Sequence, residues 1–400
     1  MSSPRVIRWG IFATGAIAKT FAKDLLVDPA TRNVHSLRHV VAAVASSSSA
    51  ARASDFAKEI NAPDARVYGS YQELVDDKDL DVIYIATPHS HHYQHIRLCL
   101  EAGHNVLCEK AITVNALQLR SLAALAREKN LFLMEALWTR YFPLTIHVLE
   151  TIQSGRIGTV QRVLSDLSAP MNPEESFKDG KHRMVNPDLA GGALLDLGIY
   201  SLIWPFLAFY LAEPAESRKK PEVFSLMNKY APTLGADETT TMILRFPRAS
   251  SAGGDGHAVA TTSFRVAGIQ GPDPSPPPVV RIQGSLGEVQ IFPGAHRPSR
   301  TRIIFGNGTV EDKDWPQPGP GKGSGWFNGF LTHMNAEGEG MGMAWEADEV
   351  GFALIEGRKE GKFSPIQESI AILEVMDEVR RQGGLQYPDA VETIRYPLSN

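Results

Sequence analysis

For its first 143 residues the chain alternates short apolar runs with helical patterns, and no other feature limits its fold so tightly. Val6 to Phe12 reads as a strand, Ala13-Thr14-Gly15-Ala16 as a tight turn of small residues, and Ile17 to about Leu26 as a helix. Val40 to Ala45 and Val82 to Ala86 are further buried strands, with Ala51 to Ile60 helical between them. The helix Tyr93 to Ala102 stops at Gly103. The strand Asn105 to Cys108, the helix Val114 to Lys129 and the strand Leu131 to Met134 then complete the series. This alternation predicts an α/β unit with a parallel, doubly wound sheet over residues 1–143.

After Pro143 the texture changes. A helix, Leu144 to Ser154, gives way to strand-like segments with no helix between most of them. They are Val160 to Leu167, Val223 to Met227, Thr239 to Phe246, Ala258 to Val266, Val279 to Gln283, Glu288 to Phe292 and Arg302 to Phe305. Strands without crossovers predict a mostly antiparallel sheet in a second, α+β domain over residues 144–400. One long helical pattern, Leu194 to about Tyr210, interrupts them, and Ala344 to Glu356 and Ile366 to Gln382 close the chain. The Gly/Pro/Ser-rich stretches Ser250 to Gly256 and Gly271 to Pro278 read as hairpin loops.

A chain of 400 residues with 43% hydrophobic content can give each of two domains a core. Its 40 basic side chains against 45 acidic ones form no Lys/Arg-rich run, which argues against nucleic acid as a partner. Cys99 and Cys108 are the only cysteines, too few for a disulfide framework, and point to a reducing compartment. The first apolar run is broken by Arg8, unlike a secretory signal. The longest, Leu202 to Ala212, is too short for a bilayer and contains Pro205. The expectation is a cytoplasmic protein with no membrane partner.

The first strand, turn and helix match a Rossmann dinucleotide fingerprint as Ala13-x-Gly15-x-x-Ala18. Ala13, Thr14, Gly15 and Ala16 let a pyrophosphate approach the backbone, and the helix opening at Ile17 aims its amides at it. An NAD site places Asp or Glu at the end of the second strand. Here stand Ser46, Ser47, Ser48 and Ser49, then Arg52, with no acid before Asp55. Hydroxyls and a guanidinium suit a 2′-phosphate, with a preference of about tenfold to hundredfold, so the expected cofactor is NADP. In Thr87-Pro88-His89-Ser90-His91-His92-Tyr93-Gln94-His95, His91 and His95 share a helix face, but no Cys, Asp or Glu joins them. The segment, with Thr87, Pro88, His89 and His92, reads as a loop lining the cofactor cleft, and no metal is expected.

Asn105 to Cys108 delivers Glu109 and Lys110 to the carboxyl rim of the sheet, where open parallel sheets hold ligands. Further on, Gly191 and Gly192 precede a helix on which Asp196 and Tyr200 lie four apart and share a face. Lys110 beside Tyr200 in a dry cleft is expected to lower the tyrosine pKa, letting Tyr200 take the proton of an alcohol whose hydride leaves for the cofactor. Cys108, inside a strand, reads as a small buried hydrophobe.

These stretches resemble the Gfo/Idh/MocA oxidoreductases, in the branch of dimeric dihydrodiol dehydrogenase and the fungal NADP-dependent D-xylose 1-dehydrogenases. The likeness rests on Ala13-Thr14-Gly15, on Thr87-Pro88 with His92, on Ala102 to Lys110, on Met134 to Pro143 and on Gly191 to Tyr200. It implies Lys110 and Tyr200 as catalytic residues and Asp196 in the substrate site. It also implies Trp138 and Arg140 near the nicotinamide, Arg183 close to the pocket, and an open C-terminal sheet that pairs two subunits. Ala111 stands where the family has proline, and Ala13 where the fingerprint has its first glycine. The implied activity is oxidation of the anomeric hydroxyl of an aldopyranose such as D-xylose. Dehydrogenation of a trans-dihydrodiol is the nearest alternative, and a non-catalytic NADP-binding redox sensor is the alternative from another class.

Overall fold

The computed structural model describes residues 3–267, 276–329 and 336–398. Six strands, β1 Arg5–Phe12, β2 Leu37–Ala45, β3 Arg66–Tyr68, β4 Val82–Ile85, β5 Val106–Glu109 and β6 Leu133–Ala136, form one sheet in the order β3-β2-β1-β4-β5-β6. Every neighbouring pair is parallel. β4, β5 and β6 are buried at each position, as strands roofed by helices on both faces must be. The order reverses between β1 and β4, and the carboxyl ends of that pair open a crevice.

The other eight strands are β7 Val160–Ser168, β8 Glu222–Lys229, β9 Asp237–Phe246, β10 Gly256–Ser263, β11 Val280–Gly284, β12 Gly287–Phe292, β13 Arg300–Phe305 and β14 Val310–Asp314. They build a second sheet in the order β14-β13-β12-β11-β7-β10-β9-β8. All its pairs are antiparallel except β7 with β10. The exception follows from the connection after β7, a long helical crossover that packs across β7 and β10. The stretch Ser250 to Gly256 does join a hairpin, β9 to β10. Gly271 to Pro278 does not, because β10 and β11 flank β7 instead of pairing with each other; residues 271–275 lie outside the described residues.

The predicted helix from Leu194 is continuous to Leu211 but is not uniform. Wide π turns, Leu194–Gly198 and Leu207–Leu211, flank an α-helical centre, Ile199–Phe206. The longer run Pro187–Leu211 has the length and hydropathy of a membrane span, yet its most apolar window is 94% buried inside the protein, as a central core helix is. Gly192 starts it with φ 136°, and a Cβ there would stand 2.2 Å from Asp237 Oδ1. That close approach lets the Asp237 carboxylate accept the Leu194 amide at 2.9 Å and anchor the helix start.

The chain then returns to the first sheet. Helix Ala344–Glu356 packs beside β2 and helix Ala16–Leu25. Its Asp348 holds Arg32 at 2.5 and 2.8 Å and His39 at 3.0 Å. At its amino end the buried Asp24 carboxylate accepts the amides of Met341, Gly342 and Met343.

Candidate active site

The fingerprint turn follows β1 directly. Ala13 adopts φ 101°, a left-handed value that glycine reaches without cost. Gly15 caps helix Ala16–Leu25 with no side chain on the leading amides, and a Cβ on Gly15 would meet nothing within 4 Å. Open space therefore stands over unpaired amides and a positive dipole end, the environment a pyrophosphate needs. Arg52 Nε donates to Thr14 Oγ1 at 3.1 Å, which ties the guanidinium to this turn. Ser46 and Ser48 hydroxyls meet at 3.0 Å, and Ser49 accepts the Arg52 amide. The donor set fits a phosphorylated ribose, and its carboxyl-free character is what discriminates.

At the end of β4, Thr87 Oγ1 meets His95 Nδ1 at 3.0 Å, and Pro88 opens helix His89–Glu101. His92 lies with its two nitrogens 2.7 Å from Thr87 O and 2.9 Å from Ala111 O. His89 likewise spans Lys110 O at 3.1 Å and Ala190 O at 3.3 Å, so it bridges the two domains. Burial lowers the pKa of both, to about 3 for His89 and about 4 for His92, with nearby positive charge on each adding to the effect. Each ring is therefore neutral and donates to one of its two carbonyls at a time. His91 and His95 stack on each other, and among the described residues no three His, Cys, Asp or Glu side chains converge as metal ligands.

Lys110 stands at the tip of β5, and the Lys110–Ala111 peptide is cis. Its Nζ reaches across to the π turn of the second domain. There it donates to Asp196 Oδ1 at 2.9 Å and Asp196 O at 2.8 Å, and it lies 5.2 Å from the centre of the Tyr200 ring. Arg183, half-exposed, meets the same Asp196 Oδ1 at 3.2 Å. Lys110, Arg183, Asp196 and Tyr200 thus come together. Burial opposes the Asp196 charge, but Lys110 and Arg183 outweigh it and hold the carboxyl ionised, well below the usual range. Behind Lys110, Tyr84 donates to buried Glu109 Oε1 at 2.5 Å, and Glu109 Oε2 accepts the Lys110 amide. Glu109 therefore turns inward, with its carboxyl pushed up by burial against the pull of Lys110.

Two expectations need correction. Lys110 does not lower the Tyr200 pKa here: burial first, then the charge of Glu109, push the phenol well above its ordinary value. The reason is that Lys110's charge is already engaged by Asp196, a partner whose distance no sequence spacing discloses. Arg140, implied to lie by the nicotinamide, is instead wholly buried and paired with Glu368. Trp138 does line the site, and its indole N–H donates to the Tyr200 oxygen. Cys108 is buried with its thiol pKa driven well up, so it is inert.

His296 was not legible in the sequence. It sits between β12 and β13 with its ring 5.5 Å from Tyr200 and 6.1 Å from Trp138, completing an aromatic wall. Its hairpin lacks periodicity, and only the fold of the second sheet brings it there.

Known proteins match this layout from end to end. Residues 7–137 match the oxidoreductase family with an NAD-binding Rossmann fold, and residues 145–290 match the GFO/IDH/MocA C-terminal domain. D-xylose 1-dehydrogenase (NADP(+)) of Hypocrea jecorina is 48% identical over 98% of this chain and 96% of its own. Trans-1,2-dihydrobenzene-1,2-diol dehydrogenase of Bos taurus is 33% identical over 96% and 98%. The fold is that of aldose-aldose oxidoreductase from Caulobacter crescentus, with TM-score 0.70, 19% identity and 95% and 98% of the two chains covered. With both domain models matched in order and relatives aligned along nearly its whole length, the chain belongs to the Gfo/Idh/MocA oxidoreductase family.

Proposed function

We propose that this protein is an NADP-dependent dehydrogenase that oxidises the anomeric hydroxyl of an aldopyranose, D-xylose to its lactone, with Tyr200 as base and Lys110 as its partner. The observation that carries the reading is the Lys110, Asp196 and Tyr200 cluster at the carboxyl rim of a dinucleotide-type sheet. Bound NADP+ supplies the hydride acceptor. Two of the three Lys110 N–H donors are fixed on Asp196, which leaves one for the substrate oxygen. Tyr200 receives the hydroxyl proton, and the Asp196 carboxylate orients the lysine and a neighbouring sugar hydroxyl.

Purified protein with NADP+ and D-xylose should generate NADPH absorbance. A protein that binds NADPH but turns over no sugar or diol would instead be a redox sensor. The aromatic wall of Trp138, Tyr200 and His296 also suits a flat dihydrodiol, the substrate class of the Bos taurus relative. Steady-state comparison of D-xylose with a trans-dihydrodiol ranks the two.

The 2′-phosphate would sit between Arg52, Thr14 and the Ser46–Ser49 hydroxyls. Arg52→Ala should lower kcat/KM for NADP by about tenfold to hundredfold and leave the value for NAD unchanged. Equal losses with both cofactors would refute this assignment. A homodimer through the second sheet fits Phe224, Leu226 and Ile243, which are exposed at 61%, 78% and 52% on its outer face, Phe224 pairing with Ile243 across the strands. Light scattering should give twice the chain mass of 43.8 kDa, and a monomeric mass at micromolar concentration counts against it.

A further inference from the structure

Trp138 occupies a turn, Trp138–Tyr141, that the fold holds from several sides. Thr139 Oγ1 donates to His296 O, Thr145 Oγ1 donates to Thr139 O at 2.6 Å, and Arg140 pairs with Glu368. Phe142 packs edge-on against the indole at 5.6 Å. The indole is buried and stands nearly perpendicular to the Tyr200 ring, at 85° and 6.3 Å between centres. An indole N–H can only donate. It donates to the Tyr200 oxygen, and among the described residues that oxygen has no other hydrogen-bond partner. The fixed donor takes one lone pair, so the phenolic proton has to point elsewhere.

We propose that the Trp138 indole N–H is the positioning donor of Tyr200: it aims the phenolic O–H at the substrate oxygen and stabilises the phenolate when that proton is away. The proposal rests on Tyr200 being the proton-transferring group. In oxidation the substrate O–H bond breaks and its proton joins the Tyr200 oxygen, while the C–H electron pair leaves with hydrogen to NADP+. In reduction both transfers run backwards. Tyr200 must pass through phenolate in each turnover, and a donor on its oxygen favours that form. Removing one hydrogen bond to a charged oxygen moves the group by about one to two pH units.

Trp138→Phe keeps an aromatic ring and deletes the donor. Incorporating β-(3-benzothienyl)alanine at position 138 keeps the bicyclic shape with sulfur in place of N–H. Two readouts apply to both: the pH dependence of kcat/KM for D-xylose oxidation, and titration of tyrosinate absorbance, with Tyr200→Phe subtracted to isolate the residue. Both variants should move the alkaline limb and the Tyr200 titration up by about one to two pH units, lose roughly tenfold to hundredfold in rate at neutral pH, and recover it at alkaline pH. An unmoved limb, or a loss equal at every pH, overturns the proposal. If Trp138→Phe melts out, the benzothienyl protein decides alone. A Tyr200→Phe enzyme with full activity would sink the base assignment instead, while the absorbance titration still reads whether Trp138 acts on Tyr200.

Discussion

Tyr200→Phe should lower kcat for D-xylose oxidation by roughly a hundredfold to ten-thousandfold, with KM for NADP changed by less than about threefold. The substitution keeps the buried ring and its edge contacts with Trp138 and His296, so the fold is retained. What disappears is the oxygen proposed to exchange the proton. In the wild type that oxygen is a poor base at neutral pH, because burial and Glu109 hold the phenol protonated. Oxidation needs the phenolate and reduction needs the phenol. Oxidation should therefore accelerate by up to about tenfold per pH unit from neutrality into the alkaline range, and carbonyl reduction should slow over the same interval. The Tyr200→Phe enzyme should lose that slope. Stopped-flow NADPH absorbance across the pH range checks both statements, and a slope surviving the substitution would mean that another group titrates.

Lys110→Met should cost about a hundredfold to a thousandfold in kcat, the usual result of deleting one charged donor aimed at the reacting oxygen. It should also be visible without substrate. Lys110 is the main counter-charge holding Asp196 ionised, and without it only the half-exposed Arg183 remains on the carboxylate. Because the folded pKa of Asp196 is depressed, the pair contributes stability that is complete above the unfolded aspartate value of about 3.9 and fades as the pH falls below it. The variant should accordingly melt below the wild type at neutral pH, with the gap closing under acid conditions. Parallel melting curves from pH 7 down to about 3 measure this. A gap that persists or widens in acid would mean the lysine acts through packing.

The first sheet was readable because its strands and helices carry separate periods and strong stops at positions such as Gly103. The elements that escaped are those with no apolar period to read. β3 is three residues long at a sheet edge, and β14 is exposed at all five positions. Helix Tyr71–Asp76 is a single capped turn and a half, announced only by the Ser70 and Glu73 capping box. In the proposed site, residue types at strand ends and on one helix face singled out Lys110, Asp196 and Tyr200, which the fold brings together. Charge balance did not follow from them, because it depends on which acid a lysine reaches. Asp196 took the charge that sequence reasoning assigned to Tyr200, and Glu368 drew Arg140 inward by the same logic.

The clamp of Asp348 on Arg32 and His39, with Asp24 holding the amides of 341–343, means that the amino-terminal sheet receives its last layer from a segment far downstream in the chain. Arg32 and Asp348 are 316 positions apart. At ribosomal speeds of about 5 to 20 residues per second, the nascent chain carries an unroofed nucleotide fold for roughly 15 to 60 s before its lid is even synthesised.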